Sequence, residues 1–483
     1  MSHVYLPLMV SVVSGFLLVR ILWPQKALGI AGVVLQISLA AGLGIGISAC
    51  VAFLVLLTAG TSQEGLILAD VAVLVALFSA FLLTRLRNRG GELKVEAGPT
   101  TRRRFTWVLA GVFFVLLISS AMTIGVESVL RPHGGWDAWM TWNLRARHLV
   151  ELPQDGWQKA FTPGMSTHPD YPPLLPLTLA RCWKWTSSES PLGPILVAGL
   201  FAFGTVGVIV ASLRLTGTWG RGLLAGAVLL STPFYIRHAA SQYADLPLAY
   251  FMVVAVALMV LQSHFENKGL GLLTMAGLCC GLAGFTKNEG LLFVPVALAA
   301  WIWLAVIRRK DAAKYRRLTA FAAGLVPVLV LVALFKLFVA PATDTPQPSL
   351  SILANGPATD AFSESGGSIL AKLATPSRYC KIAISFAEQI LDSQNWSAWP
   401  FMVPIYVLLV GVQLSEPYRR GAWIVFSILV LMVTGYFMVY VVTPEKLSWL
   451  LNTSLNRLFF QLWPMTIFAL FSVSRPPEEA DNP

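Results

Sequence analysis

The chain has 483 residues, of which 56% are hydrophobic and 12% charged, and its mean hydropathy is +0.68. Because a soluble domain carries about a quarter charged residues, this composition excludes an ordinary water-soluble fold. Apolar runs of about 20 residues recur, each long enough to cross the hydrocarbon layer as a helix. The alternating pattern of a barrel is absent, so the sequence predicts an all-α polytopic membrane protein.

The net charge of +11 could point to nucleic acid, but its placement argues against that partner. Basic residues cluster in alternate loops between apolar runs, which is the pattern of cytoplasmic loops in membrane proteins. We therefore expect membrane lipid, and no nucleic acid, as a partner. The five cysteines show no metal-ligand spacing and most lie in apolar runs, so we expect buried thiols rather than a disulfide framework.

Thirteen candidate spans follow one another along the chain. They cover about residues 4–22, 30–57, 66–84, 106–126, 192–213, 222–236, 245–263, 270–286, 290–307, 318–340, 400–414, 421–442 and 455–473. The first run lacks a basic leader and a small-residue cleavage site, so we expect it to be a retained span. The run from Tyr171 to Trp185 is predicted to be a re-entrant or interfacial helix, because a further crossing would invert every later loop.

The linker between the third and fourth spans carries many basic residues, and we expect it in the cytoplasm. They are Arg85, Arg87, Arg89, Lys94, Arg102, Arg103 and Arg104. Alternation then places the basic residues of 308–317 inside as well, with Arg419 and Arg420. It places two long loops outside, at about 127–190 and 340–399, the second with a surface helix within 368–391.

Three parts are predicted along the chain. Residues 1–98 form an N-terminal extension of three spans with the basic linker, 99–473 form the main transmembrane module, and 474–483 form a cytoplasmic tail. Within the interfacial run, Pro172 and Pro173 suit a first helical turn. Arg181, Trp183, Lys184 and Trp185 in the same run are expected to lie at a headgroup boundary, where long cations extend towards water.

Within the first outer loop, the stretch from Gly134 to His148 places Asp137 beside three Trp, followed by two Arg and a His. Asp137 could serve as a helix N-cap, since a helix-compatible run follows it. Helical spacing places Asp137, Thr141 and His148 on one face, with Trp139 and Trp142 roughly opposite. This arrangement favours a carboxylate that is free to react beside an apolar anchor.

Charges at the mouths of other spans are candidates too, because a charge near the bilayer core is costly and usually has a partner or a function. Asp245 could be a cap, an Arg237 partner or a site residue. Lys287 and Glu289 could pair with each other or could bind a phosphate or a sugar. The remaining candidates are Arg457 and the segment of His168, Asp170 and Tyr171, for which a proline-rich turn is favoured over an acceptor or metal site.

These motifs, in this order and on one side, resemble the GT-C superfamily of integral-membrane glycosyltransferases. The resemblance is greatest to the bacterial relatives of protein O-mannosyltransferases and lipid A aminoarabinose transferases, and it covers about residues 105–473. The motifs are Trp136-Asp137, His168-Pro169-Asp170-Tyr171-Pro172-Pro173-Leu174, Ala244-Asp245-Leu246-Pro247, Thr286-Lys287-Asn288-Glu289-Gly290 and Ser454-Leu455-Asn456-Arg457-Leu458.

The resemblance implies transfer of a sugar from a polyprenyl-phosphate carrier to an acceptor outside the bacterial inner membrane, on the periplasmic side. Asp137 then resembles the first-loop catalytic Asp of the family, and Asp245 its second acidic residue. Ala138 follows Asp137 where protein O-mannosyltransferases have Glu. The resemblance therefore does not determine whether the acceptor is a glycan, a lipid or a protein. The residues assigned to substrate binding are Lys287, Glu289, Arg457, His168, Asp170, Tyr171 and Arg237.

The residues also fit this chemistry directly. A sugar hydroxyl is a poor nucleophile, which a carboxylate can activate as general base. A phosphate leaving group needs its charge stabilised, and Lys287 and Arg457 come first among the cations, ahead of Arg145, Arg147 and Arg237. A single displacement inverts the anomeric centre. A divalent metal between Asp137 and Asp245 is an alternative, although no metal site is predicted.

Three other classes of protein compete with this hypothesis. A transporter or flippase also uses intramembrane charges and broken helices, but here the charges gather at one face and no inverted halves are seen. An oligosaccharide ligase or polymerase would consume a diphosphate-linked glycan instead of a monophosphate-linked sugar. A purely structural membrane scaffold fits poorly with several polar clusters on one side.

Overall fold

The computed structural model describes residues 3–23, 29–87, 103–153, 156–165, 167–265, 270–307, 314–340, 369–416 and 418–479. Within these ranges every regular element is a helix, and a single bridge pairs Val412 with Ser474. The predicted all-α class is therefore confirmed. Most of the basic linker, the residues 308–313 and the first part of the second outer loop lie outside the described residues.

Nineteen α-helices are described. They are α1 Tyr5–Leu22, α2 Gly29–Ala59, α3 Gln63–Arg87, α4 Arg103–Leu130, α5 Asn143–Glu151, α6 Leu174–Thr186, α7 Leu192–Thr216, α8 Trp219–Leu230, α9 Pro233–Ser241, α10 Asp245–Phe265, α11 Leu270–Thr286, α12 Asn288–Ile307, α13 Lys314–Leu334, α14 Ile369–Leu373, α15 Pro376–Leu391, α16 Ser393–Trp396, α17 Trp399–Val410, α18 Tyr418–Val442 and α19 Leu447–Val473. In addition, π-helical turns cover Ala138–Trp142 and Phe335–Val339.

Eight of the described helices are long and apolar enough to cross a membrane, namely α1, α2, α3, α4, α7, α10, α13 and α18. Four shorter apolar helices, α8, α11, α12 and α17, also coincide with predicted spans. Each of the thirteen predicted runs overlaps a helix, but the count of thirteen crossings is not confirmed. The helix predicted within 368–391 is observed as α14 and α15.

The predicted span 222–236 is divided between two helices. Helix α8 ends at Leu230, Thr232 has an extended ψ of 113°, and Pro233 occupies the first turn of α9. A proline has no N–H to continue a helix and disfavours the α conformation in the residue before it. The break therefore follows from Pro233, and α9 with the turn behind it lies beside Asp137.

Helix α10 lies at the centre of the bundle, and its whole apolar window is buried. Helix α2 is nearly as enclosed, with 83% of its window buried, and it packs against α1, α6 and α7. The Tyr250 hydroxyl of α10 donates to the Ser38 carbonyl of α2 at 2.7 Å, and its ring fills the space over Gly42, where a Cβ would lie 2.0 Å away. Helix α2 is therefore part of the core that carries Asp245.

Candidate active site

Asp245 begins α10 and is completely buried, with four hydrogen bonds to its carboxylate. Lys287 Nζ donates to Oδ1 at 2.9 Å and Gln461 Nε2 donates to the same oxygen at 2.6 Å. Arg457 donates to Oδ2 from Nη2 at 2.8 Å and from Nε at 3.1 Å. A buried carboxylate is stable when it is paired and its oxygens are hydrogen-bonded. Asp245 therefore fixes three side chains from the α11–α12 turn and from α19.

Arg457 also contacts the second carboxylate. Its Nη1 lies 2.6 Å from Asp137 Oδ2, so one guanidinium joins Asp137 to Asp245. The side chain of Asp137 is 28% exposed and that of Asp245 is not exposed at all. Among the described residues, no hydrogen bond is found to the other oxygen of Asp137, Oδ1. Of the two carboxylates that Arg457 contacts, only that of Asp137 is therefore accessible to a substrate.

Local backbone geometry places Asp137 beside the end of α9. Gly134 has a φ of 74°, and a Cβ there would lie 2.5 Å from the Ser241 carbonyl oxygen. Only glycine tolerates this conformation and this approach without strain, and the adjacent Gly135 N–H donates to the same carbonyl at 3.0 Å. Asp137 occupies the N-cap position of the π-helical turn, but its side chain makes no capping hydrogen bond. The capping alternative therefore does not explain this carboxylate.

The π-helical turn also changes which tryptophans share a face. Trp142 is buried and stacks on Tyr171 with ring centroids 5.7 Å apart, whereas Trp139 is 44% exposed and contacts Trp136. The expectation that Trp139 and Trp142 lie together was wrong. It assumed α-helical spacing, and an i→i+5 turn shifts the register by one residue.

A cavity of about 470 Å³ opens beside Asp137. Its wall includes Asp137, Arg457, Tyr243, Arg237, His238, Asn456, Glu127 and Arg131. Arg457 lies over the Tyr243 ring, 5.2 Å from its centroid. Burial and the nearby Asp137 carboxylate raise the pKa of Tyr243, so its hydroxyl stays protonated. The cavity thus combines two carboxylates, those of Asp137 and Glu127, with three arginines and a neutral hydroxyl.

Lys287 does not line this cavity. It is 2% exposed, and its Nζ lies 2.9 Å from Asp245 and 2.8 Å from Glu289. The structure therefore shows the Lys287–Glu289 pair that the sequence offered as one alternative. Lys287 also lies over the Tyr171 ring at 5.5 Å. Its position fits a cation that holds the two carboxylates and the 168–171 segment in place.

The 168–171 segment forms a second polar cluster next to the Lys287 turn. His168 stacks on Tyr171, and the Asp170 carboxylate accepts a hydrogen bond from Asn288 at 2.6 Å and lies 3.4 Å from Lys336. Burial lowers the pKa of His168, which favours its neutral form. None of these residues is on the cavity wall.

The other predicted cations have different partners. Arg237, on the cavity wall, donates to Asn395 Oδ1 at 2.6 Å and to the Gln394 carbonyl at 3.0 Å, so it is not a partner of Asp245. Arg147 pairs with Glu189 at 2.7 Å. Buried Arg145 donates to the carbonyls of the 167–171 segment, and burial lowers its pKa to about 10. Arg145 and Arg147 therefore support the loop and do not face the cavity.

A divalent metal between Asp137 and Asp245 has no support in this geometry, because the Arg457 guanidinium lies between the two carboxylates. In the part of the chain that the structure describes, no group of three or more His, Cys, Asp or Glu side chains could hold a metal ion.

Sequence reasoning missed several groups of the site. Gln461 lies four residues after Arg457 on α19, and this spacing places both on one face, so it could have been found. Lys336 is a lysine inside an apolar run, which is itself a signal for a buried partner. Tyr243, His238 and Arg131 carried no such signal, because the cavity that collects them depends on the packing of α4, α9 and α19.

Residues 196–341 match the family model for dolichyl-phosphate-mannose-protein mannosyltransferase. The match includes Asp245, Lys287 and Arg237, and it leaves Asp137 and Arg457 outside. Over these residues the predicted resemblance to GT-C membrane glycosyltransferases is confirmed. No curated protein sequence matches the chain significantly.

The chain is also similar to the crystal structure of ArnT from Cupriavidus metallidurans bound to undecaprenyl phosphate. The TM-score is 0.48 and the sequence identity is 15%. The similarity covers 75% of this chain and 59% of that chain, so this chain spans less than two thirds of the ArnT structure.

Proposed function

We propose that this protein is a membrane glycosyltransferase. It transfers a single sugar from a polyprenyl-phosphate-linked donor to an acceptor hydroxyl at the periplasmic face of the inner membrane. The observation that carries the proposal is the accessible Asp137 carboxylate on the cavity wall, joined through Arg457 to the buried Asp245. The matched family model supports the class of reaction, because its description names a lipid-phosphate-linked sugar as donor.

Asp137 acts as the general base. A free carboxylate oxygen facing the cavity can take the proton from an acceptor hydroxyl while that oxygen attacks the anomeric carbon. The bond from the anomeric carbon to the phosphate oxygen breaks in the same step, and its electron pair leaves with the polyprenyl phosphate. A single displacement of this kind inverts the anomeric configuration.

Arg457 stabilises the charge that develops on the leaving phosphate, and Arg237 binds the phosphate of the donor, because both lie on the cavity wall. Preorganised donors act most strongly where charge develops in a site with little water. This assignment moves Lys287 away from the phosphate. Lys287, Glu289 and Asp245 instead hold Arg457 in place, and the predicted role of Asp245 becomes one of positioning.

The size of the cavity fits a small substrate group. Its volume of about 470 Å³ lies within the range of small-molecule sites, roughly 300–1,000 Å³. Polar groups on the wall, among them Asn456, Tyr243 and Glu127, can hydrogen-bond the hydroxyls of one sugar. A glycan, lipid or protein acceptor would supply the attacking hydroxyl.

The activity can be tested with purified protein in detergent and a labelled sugar on a polyprenyl monophosphate. We expect the labelled sugar to be released from the lipid in detergent, where transport into a second compartment is impossible. We expect NMR of the product to show an inverted anomeric centre. Consumption of diphosphate-linked glycans alone would favour a ligase or polymerase instead. Movement of intact donor across proteoliposomes, with no cleavage, would favour a flippase.

A further inference from the structure

A buried ion pair joins the N-terminal helices to α6, outside the candidate site. Arg181 Nε lies 2.7 Å from Asp70 Oδ2, and the two side chains are 1% and 4% exposed. Trp185 Nε1 donates to the same carboxylate oxygen at 2.7 Å. Arg181 Nη2 also donates to the Pro7 carbonyl of α1 at 2.9 Å. One carboxylate of α3 thus fixes two residues of α6, and α6 in turn is fixed to α1.

This pair overturns the expectation that Arg181 reaches a headgroup boundary. The sequence could not show that Asp70, more than one hundred residues away, lies opposite it. Helix α3 is otherwise peripheral, with only 11% of its apolar window buried. A charge in such a helix is unfavourable unless it is paired, and a paired charge adds a directional contact that apolar packing does not supply. A second contact, from Gln63 Nε2 to Ser187 Oγ at 3.2 Å, joins the start of α3 to the end of α6.

Helix α6 starts directly after the 167–173 segment, so its placement determines where that segment lies. Tyr171 of the segment lies under Lys287 Nζ, and Asp170 accepts a hydrogen bond from Asn288. Lys287 in turn holds Asp245. A continuous set of contacts therefore runs from Asp70 through α6 and the α11–α12 turn to the carboxylate that anchors Arg457.

We propose that Asp70 and Arg181 are positioning residues for the candidate site. The N-terminal helices hold α6 through this pair, and α6 seats the 167–173 segment against Lys287 and Asn288. Helices α1, α2 and α3 are then required to align the candidate site. This requirement gives the predicted N-terminal extension a function. The kinetic part of this inference rests on the proposed function, and its structural part does not.

Hydrogen exchange of the purified full-length protein tests the structural part. The variants are Asp70→Asn and the double variant Asp70→Leu with Arg181→Met, which leaves no unpaired charge buried. We expect the amides of 167–171 to exchange about 10-fold faster in both, while α10 and α19 keep their protection. The control is Ser48→Ala, which removes the 2.9 Å hydrogen bond between α1 and α2 and leaves the contacts of Arg181 with Asp70 and Pro7 in place.

Two results would overturn the proposal. One is unchanged exchange of the 167–171 amides in either folded variant. The other is equal acceleration in α10 and α19, which would mean a general loss of stability rather than a displaced segment. Both results are decided without any measurement of sugar transfer, so they stand apart from a failure of the proposed function.

Kinetics add a measurement that a merely structural role would not affect. The 167–173 segment is off the cavity wall, so misplacing it should lower kcat by about 10- to 100-fold and leave the donor KM nearly unchanged. Asp70→Glu keeps the carboxylate and should restore most of kcat. A wild-type kcat in Asp70→Asn, or a loss that Asp70→Glu does not rescue, would contradict the positioning role.

Discussion

Arg457 lies between Asp137 and Asp245, with Nη1 2.6 Å from the first carboxylate and Nη2 2.8 Å from the second. The two carboxylates differ in access, because Asp137 lines a cavity and Asp245 is sealed behind the guanidinium. One arginine therefore links a rigid, buried anchor to the group that can meet a substrate. Asp137, Asp245 and Arg457 therefore have separate roles that can be measured one by one, whereas the sequence motifs only assigned all three to the same site.

Replacing Arg457 by Lys should lower kcat by about 10²-fold or more. A single ammonium cannot reproduce the planar fork that contacts both carboxylates, so the developing phosphate charge and Asp137 lose their common donor. Steady-state transfer rates at saturating donor provide the measurement. An unchanged kcat would show that the bridge has no part in the reaction.

Removing the buried anchor should act on stability. Asp245→Asn leaves Lys287 and Arg457 without their shared partner, and breaking a buried pair costs about 3–5 kcal/mol. Asp137→Asn breaks a partly exposed pair, for which about 1 kcal/mol is expected. Thermal unfolding in detergent compares the two variants. Equal losses of stability would contradict the division into an anchor and an accessible carboxylate.

Replacing Arg237 should weaken binding of the donor phosphate. Arg237→Gln removes a cation from the cavity wall, and loss of uniform binding raises KM by about 10-fold with little change in kcat. The matched control is Arg147→Gln, since Arg147 pairs with Glu189 away from the cavity. If the two variants show the same donor KM, the phosphate does not bind near Arg237.

Acid should destabilise the protein partly through His238. Burial lowers the pKa of His238 to about 3, whereas an exposed histidine titrates near 6.5. The unfolded chain therefore binds a proton that the folded protein does not, and stability falls as the pH drops from about 6.5 towards 3. At pH 5 the loss from this group is up to about 2 kcal/mol.

This effect is measured as the difference in Tm between pH 7.5 and pH 5. His238→Phe suits the surrounding rings of Phe234 and Phe460 and cannot titrate, so its Tm should fall less than that of the wild type. His3→Phe, at an exposed position, is the control. If the Tm of His238→Phe falls as much as that of the wild type, His238 does not contribute to the loss of stability in acid.

Much of this arrangement could be predicted because membranes restrict where charges occur. The apolar runs indicated the helices, and the rare charges at their ends indicated Asp137, Asp245, Lys287 and Arg457, all of which the structure brings together. The sequence could not show which carboxylate is accessible. That depends on how α10 and α19 enclose Asp245, and packing of this kind leaves no local pattern.

The errors have physical causes too. Arg181 was expected at a headgroup boundary because its partner, Asp70, is distant in sequence. The break between α8 and α9 was missed although Pro233 marks it. The grouping of Trp139 with Trp142 assumed a regular helix where a π-helical turn occurs. In each case a single contact or turn outweighed the regular pattern.

The Asp137→Asn variant tests whether Asp137 is the general base of sugar transfer. The variant should insert and fold like the wild type, bind the polyprenyl-phosphate sugar with similar affinity, and transfer at a rate at least about 10²-fold lower. Glu189→Gln, which removes an acidic group paired with Arg147 away from the cavity, should keep the wild-type rate. If Asp137→Asn transfers sugar at the wild-type rate, Asp137 is not the general base.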